Sequence, residues 1–140
     1  MSLAAWWQQT AWWQQAALVA AGGALGSVGR FAISSSLARA AAQHGFPWGT
    51  FAVNLIGSFL AGFLFVWLQS RGASESWWRA FAMIGVLGGL TTWSALVVDV
   101  FVLHRGANLA WAGTYVAASF VGSLILLIAG LALAQALFRN

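Results

Sequence analysis

Long apolar runs separated by short polar links organise this chain. The runs predict helices from about Gln15 to Leu37, Trp48 to Gln69, Trp77 to Leu103 and Leu109 to Leu137. Each matches the length of about 20 apolar residues with which a helix crosses the hydrocarbon core of a bilayer. The links Ala40–Phe46, Ser70–Ser76 and His104–Asn108 are so short that consecutive helices are expected to be antiparallel neighbours, with both termini on one membrane side. Pro47, the only proline, stands where the second helix begins, because its fixed φ and missing N–H suit a first turn.

Ahead of the first run, Ala5-Trp6-Trp7-Gln8-Gln9 recurs as Ala11-Trp12-Trp13-Gln14-Gln15. Tryptophan favours the membrane interface, so residues 1–15 read as an interfacial lead-in and residues 16–140 as one membrane domain. The lead-in lacks the basic start and short apolar core of a cleaved signal peptide.

Composition narrows the class. Of 140 residues 61% are hydrophobic and 6% charged, against about 25% charged in a soluble domain. The chain is therefore expected to be an all-α integral membrane protein. The basic residues are all arginines and do not cluster, which leaves no patch for nucleic acid. Absent cysteine removes disulfides and thiolate sites, and the histidines and acids form no catalytic set, so an enzyme is not expected. Arg71, Arg79 and Arg139 stand against Glu75 on one membrane side, and Arg39 and Arg105 on the other. So balanced a distribution lets the chain insert either way up, and two copies can pair in opposite orientations.

Small residues recur four apart at Gly22 and Gly26, Ser58 and Gly62, Gly85 and Gly89, and Ser119 and Ser123. That spacing lets helix backbones approach closely in lipid. Within the third run, Gly85-Val86-Leu87-Gly88-Gly89-Leu90-Thr91-Thr92-Trp93-Ser94 combines paired glycines with paired β-branched threonines, which predicts a break near the bilayer midplane. Freed carbonyls there would suit a desolvated monovalent cation such as sodium; a tightly packed glycine-rich helix is the other reading.

Several polar residues lie within the apolar spans. Asn54 serves either an interhelical hydrogen bond, the commoner use, or a pathway lining. Tyr115, Ser119 and Ser123 fall four apart, so their hydroxyls share one helix face. Arg30 costs about 2.5–3.5 kcal/mol in lipid on insertion scales and is expected to face a vestibule or a partner. Asp99 pairs with an arginine or sits at a pore mouth.

Taken together these segments resemble the fluoride channel family called Fluc or CrcB, over nearly the whole chain after the lead-in. Gly22-Gly23-Ala24-Leu25-Gly26-Ser27-Val28-Gly29-Arg30 is similar to its first-helix motif, and Gly49-Thr50-Phe51-Ala52-Val53-Asn54-Leu55-Ile56-Gly57 to its second. The Gly85–Ser94 segment is similar to its third-helix signature, and Tyr115, Ser119 and Ser123 to its hydroxyl track. The resemblance implies passive fluoride export by an antiparallel dual-topology dimer, with a structural sodium ion held by backbone carbonyls at Gly88 and Thr91. It implies a fluoride pathway along Asn54, Trp93, Leu96, Tyr115, Ser119 and Ser123, with Arg30 and Asp99 toward the vestibules. Trp93 and Leu96 depart from the family, which usually has phenylalanine at both positions. Trp93 keeps a ring edge, whereas Leu96 offers none. Two other readings are a non-conducting partner subunit and a small four-helix multidrug transporter; the latter needs a carboxylate in helix 1, which this chain lacks.

Overall fold

The computed structural model describes residues 3–70, 75–106 and 109–138. Arg71, Arg139 and Asn108 of the reading above lie outside the described residues, as do the side chains of the first Trp-Trp-Gln-Gln repeat. The described chain forms α1 (Leu3–Ser36), α2 (Ala38–His44), α3 (Trp48–Gln69), α4 (Glu75–Trp78), a π-helical segment (Arg79–Leu87), α5 (Gly88–Leu90), α6 (Trp93–Arg105) and α7 (Leu109–Phe138). Among the described residues, four spans are long and apolar enough to cross a membrane: Trp12–Ser36, Trp48–Gln69, Ser76–Arg105 and Leu109–Phe138. The chain is an all-helical, multi-pass membrane protein.

The local chemistry explains each boundary. The first link is not plain loop as expected, because alanine-rich Ala38–His44 makes a short helix of its own. Gly45 ends it at φ 66°, donating its N–H to the Ala41 carbonyl; glycine alone adopts that left-handed cap without steric cost. Pro47 directly precedes α3, and its carbonyl accepts from Phe51 at 3.1 Å. In the third span the expected break falls at Thr91 (φ −84°, ψ 155°) and Thr92 (φ −153°, ψ 119°), both extended.

Packing rests on backbone contact. A Cβ placed on Gly26 would collide with the Val86 carbonyl oxygen, and one on Gly89 with the Gly23 carbonyl oxygen. The two small-residue pairs of the first and third spans therefore fit against each other, seating α1 on the π-helical segment. Gly62 and Gly130 play the same part between α3 and α7, meeting the Leu127 and Phe59 carbonyls. Without a hydrophobic force between helices in lipid, such close approach is what makes dispersion contacts sufficient. Apolar side chains such as Leu25, Val28 and Phe31 point outward, as an apolar solvent permits.

This packing sets one expectation. Gly26→Ala should destabilise the fold by about 1–3 kcal/mol through overpacking against backbone. Gly113→Ala, which meets nothing within 4 Å, should leave the thermal midpoint in detergent unchanged. Equal midpoints for the two variants would show that α1 does not depend on this contact.

Candidate functional site

The break is held by one side chain. Asn54 on α3 donates from Nδ2 to the Thr92 carbonyl at 3.1 Å and accepts from the Thr92 N–H at its Oδ1 at 2.8 Å. A carboxamide carries one donor and one acceptor in the geometry of a peptide group, so it replaces the neighbour that an extended residue would find in a sheet. Thr92 then begins α6, its hydroxyl accepting from the Ala95 N–H at 3.2 Å. On the other side, Thr91 donates from its N–H and its hydroxyl to the Leu87 carbonyl, at 2.9 and 2.8 Å. Its methyl group lies directly over Gly57, where any Cβ would collide with it.

This bonding leaves specific carbonyls free. In a continuous helix the Thr92 N–H would bond the Gly88 carbonyl, and the Ala95 N–H the Thr91 carbonyl. Here Asn54 and the Thr92 hydroxyl take those two donors. Gly88 is exposed, with open space around it. Two backbone oxygens with spare lone pairs are hard, neutral ligands of the kind that suits sodium, so the residues present fit the expected ion.

Beside the break a groove of about 420 Å³ opens between α3, α6 and α7. Asn54, Trp93, Leu96, Ser119 and Ser123 all line it. Five of the six expected pathway residues are thus brought together from spans far apart in sequence. Ser58 also lines it, but its hydroxyl donates back to the Asn54 carbonyl at 2.7 Å. Ser119 is 2% exposed, and its Oγ has no hydrogen-bond partner. A buried hydroxyl without a partner is rare, because leaving it unpaired costs about 1–3 kcal/mol.

Tyr115 is placed differently. It is fully buried behind the groove with Phe46 and Leu96, its ring edge-on to Phe46 at 5.4 Å. Its hydroxyl donates to Asp99 Oδ2 at 3.0 Å. The expected hydroxyl face therefore divides, two serines lining the groove while the tyrosine ties α7 to α6. Asp99 finds this phenol in place of the arginine considered for it. Arg30 is half-buried and lines a second cavity, of about 310 Å³, with Ser27, Ser34, Thr50 and Thr92. Thr92 borders both cavities, so the break stands between the arginine and the groove.

The sequence marked Thr92 only as part of the break and gave no sign of its partner, and it gave no signal at all for Phe120. Thr92 is bonded by a residue 38 positions away. Phe120 lines the groove, although a phenylalanine in an apolar helix reads only as lipid-facing bulk.

Asn54→Ala should expose the weight carried by the double hydrogen bond. It strands the Thr92 N–H and carbonyl, at about 1–3 kcal/mol per unpaired group. The expected result is a thermal midpoint well below that of Ser58→Ala, whose hydroxyl bonds only its own helix. Similar midpoints for both variants would mean that the break is held by packing alone.

Residues 17–131 match the family described as CrcB-like protein, Camphor Resistance (CrcB). A protein of Xanthomonas euvesicatoria pv. vesicatoria (strain 85-10), named fluoride-specific ion channel FluC, is 48% identical over 130 residues, covering 93% of this chain and 92% of the relative. The FluC protein of Xylella fastidiosa (strain 9a5c) is 44% identical over 93% of this chain and 86% of its own. That of Caulobacter sp. (strain K31) is 42% identical over 86% and 94%. With its break, its groove and this sequence identity over nearly its whole length, the chain belongs to the CrcB family.

Proposed function

We propose that this chain conducts fluoride passively across the membrane, as one half of an antiparallel dimer of two copies. Ser119 carries the reading: a buried hydroxyl without a partner, in a groove shared with Asn54 and Ser123, is a donor available to an anion. Relatives named as fluoride-specific channels support the choice of ion.

An unpaired ion in a low-dielectric interior faces a solvation penalty on the order of tens of kcal/mol. Fluoride loses its water only where neutral donors replace it at close range. Hydrogen bonds to a charged partner contribute about 1.5–3 kcal/mol each. Ser119 and Ser123, a turn apart on α7, provide two such donors. The Asn54 amide keeps one N–H beyond that given to Thr92. All three are neutral, so they offer no counter-charge that would trap the anion. Arg30, on the other side of the break, raises the local anion concentration without entering the groove. Movement down a gradient in this way calls for no bond chemistry.

The near balance of arginines across the membrane supports two orientations. The Gly88 and Thr91 carbonyls, with the same pair from a second copy, would hold a sodium ion. That ion would supply the positive charge that fixes the two breaks against each other. One observation favours a second reading: Leu96 is 7% exposed and carries no ring, which fits a partner subunit that conducts only beside a different chain.

Liposomes containing only this purified chain test the proposal. Fluoride efflux read by electrode, with chloride retained, is the expected result, and Ser119→Ala should slow efflux about tenfold through loss of a charge-assisted donor. Silence from well-folded protein would leave the partner-subunit reading. For the ion, thermal midpoints in sodium should exceed those in N-methylglucamine by several degrees, because a ligand bound only to the folded state stabilises it. Identical midpoints would remove sodium from the structure.

A further inference from the structure

The groove has two ring-bearing residues in its lining, Trp93 on α6 and Phe120 on α7. The family-based pathway uses Trp93 and Leu96 and leaves Phe120 out. Leu96 packs with Phe46 and Tyr115 and offers the groove methyl groups alone. Phe120 is 69% exposed in the single chain. It follows Ser119 directly and precedes Ser123 by three residues, so Phe120 and Ser123 are neighbours on one helix face.

A phenyl ring concentrates negative charge on its faces and positive charge on its edge. Beside hydroxyl donors, such an edge attracts a partly dehydrated anion without supplying a site for a cation or a proton. A leucine side chain has neither quadrupole nor dipole, so position 96 leaves one part of the lining electrostatically blank. Phe120, on the opposite wall, is the ring available to fill that role.

We infer that Phe120 supplies the ring contact that Leu96 lacks, and that it sets both the rate of fluoride passage and its preference over chloride. The inference rests on the fluoride reading and adds a specificity-determining residue to it. An outward phenylalanine that met only lipid or apolar surface would be interchangeable with leucine. That difference decides the test.

Full-length Phe120→Leu, reconstituted alone in liposomes, should release fluoride about tenfold more slowly and with weaker discrimination against chloride. Its elution volume and thermal midpoint should match the wild type. Phe120→Tyr, which keeps the ring, should stay close to wild-type rate. Fluoride efflux and selectivity unchanged in Phe120→Leu would overturn the inference, as would equal slowing of the leucine and tyrosine variants. Should Phe120→Leu fold poorly, pentafluorophenylalanine at position 120 keeps the shape and reverses the charge at the ring edge. Slower efflux then supports the inference, and wild-type efflux sinks it. A silent wild-type chain removes the reading of a self-sufficient fluoride channel and this inference with it; an active wild type indifferent to Phe120→Leu removes this inference alone.

Discussion

A helix broken in the middle of a bilayer leaves peptide groups that no water can satisfy, and in this protein the carboxamide of Asn54 resolves that constraint. By taking both polar groups of Thr92, it makes an extended residue tolerable at a depth where the alternative is an unpaired N–H and carbonyl. The remaining arrangement follows from the same bonds. Thr92 is held in the conformation that lets its hydroxyl start α6, and the donors so engaged are the ones that Gly88 and Thr91 would otherwise use. One side chain thereby sets the direction of a helix, frees two carbonyls and brings a spare amide N–H to the groove.

Such a break needs rigid surroundings, and the glycines supply them. α1 meets the π-helical segment backbone to backbone, as α3 meets α7. Neither contact can shift by the size of a methyl group without collision. Thr91 fits over Gly57 for the same reason. The bond from Tyr115 to Asp99 then joins α6 to α7 behind the groove, so the wall bearing Ser119 and Phe120 is fixed relative to the wall bearing Trp93 and Leu96. A lining held in this way keeps its donors in place, which would lower the reorganisation that the proposed passage of an anion requires.

Much of this was legible in the sequence for identifiable reasons. The spans follow from hydropathy, since the bilayer is a uniform solvent that imposes length and apolarity directly. The break at Thr91 and Thr92 follows from glycine and β-branched residues acting together on helix propensity. Asn54 stood out because a carboxamide within an apolar span requires a partner. What that partner was did not follow: a hydrogen bond on the same helix, across helices or to an ion satisfies the amide equally. Nor did the spacing of Tyr115, Ser119 and Ser123 fix where the hydroxyls point. One face of a helix is wide, and Phe46, Leu96 and Asp99 draw the tyrosine to one part of it.

By itself, then, the sequence determined a chain of antiparallel apolar helices, an interrupted third span and the set of polar residues that lipid cannot accommodate. Those properties depend on side-chain chemistry and spacing along a single helix. The tertiary structure alone decided that Asn54 bonds Thr92, that the Gly88 and Thr91 carbonyls lose their donors, that Ser119 is buried without a partner and that Phe120 faces the groove. Each of these depends on the relative rotation and depth of two helices. That is set by where glycine lets backbones touch, a property of pairs of surfaces that no single segment encodes.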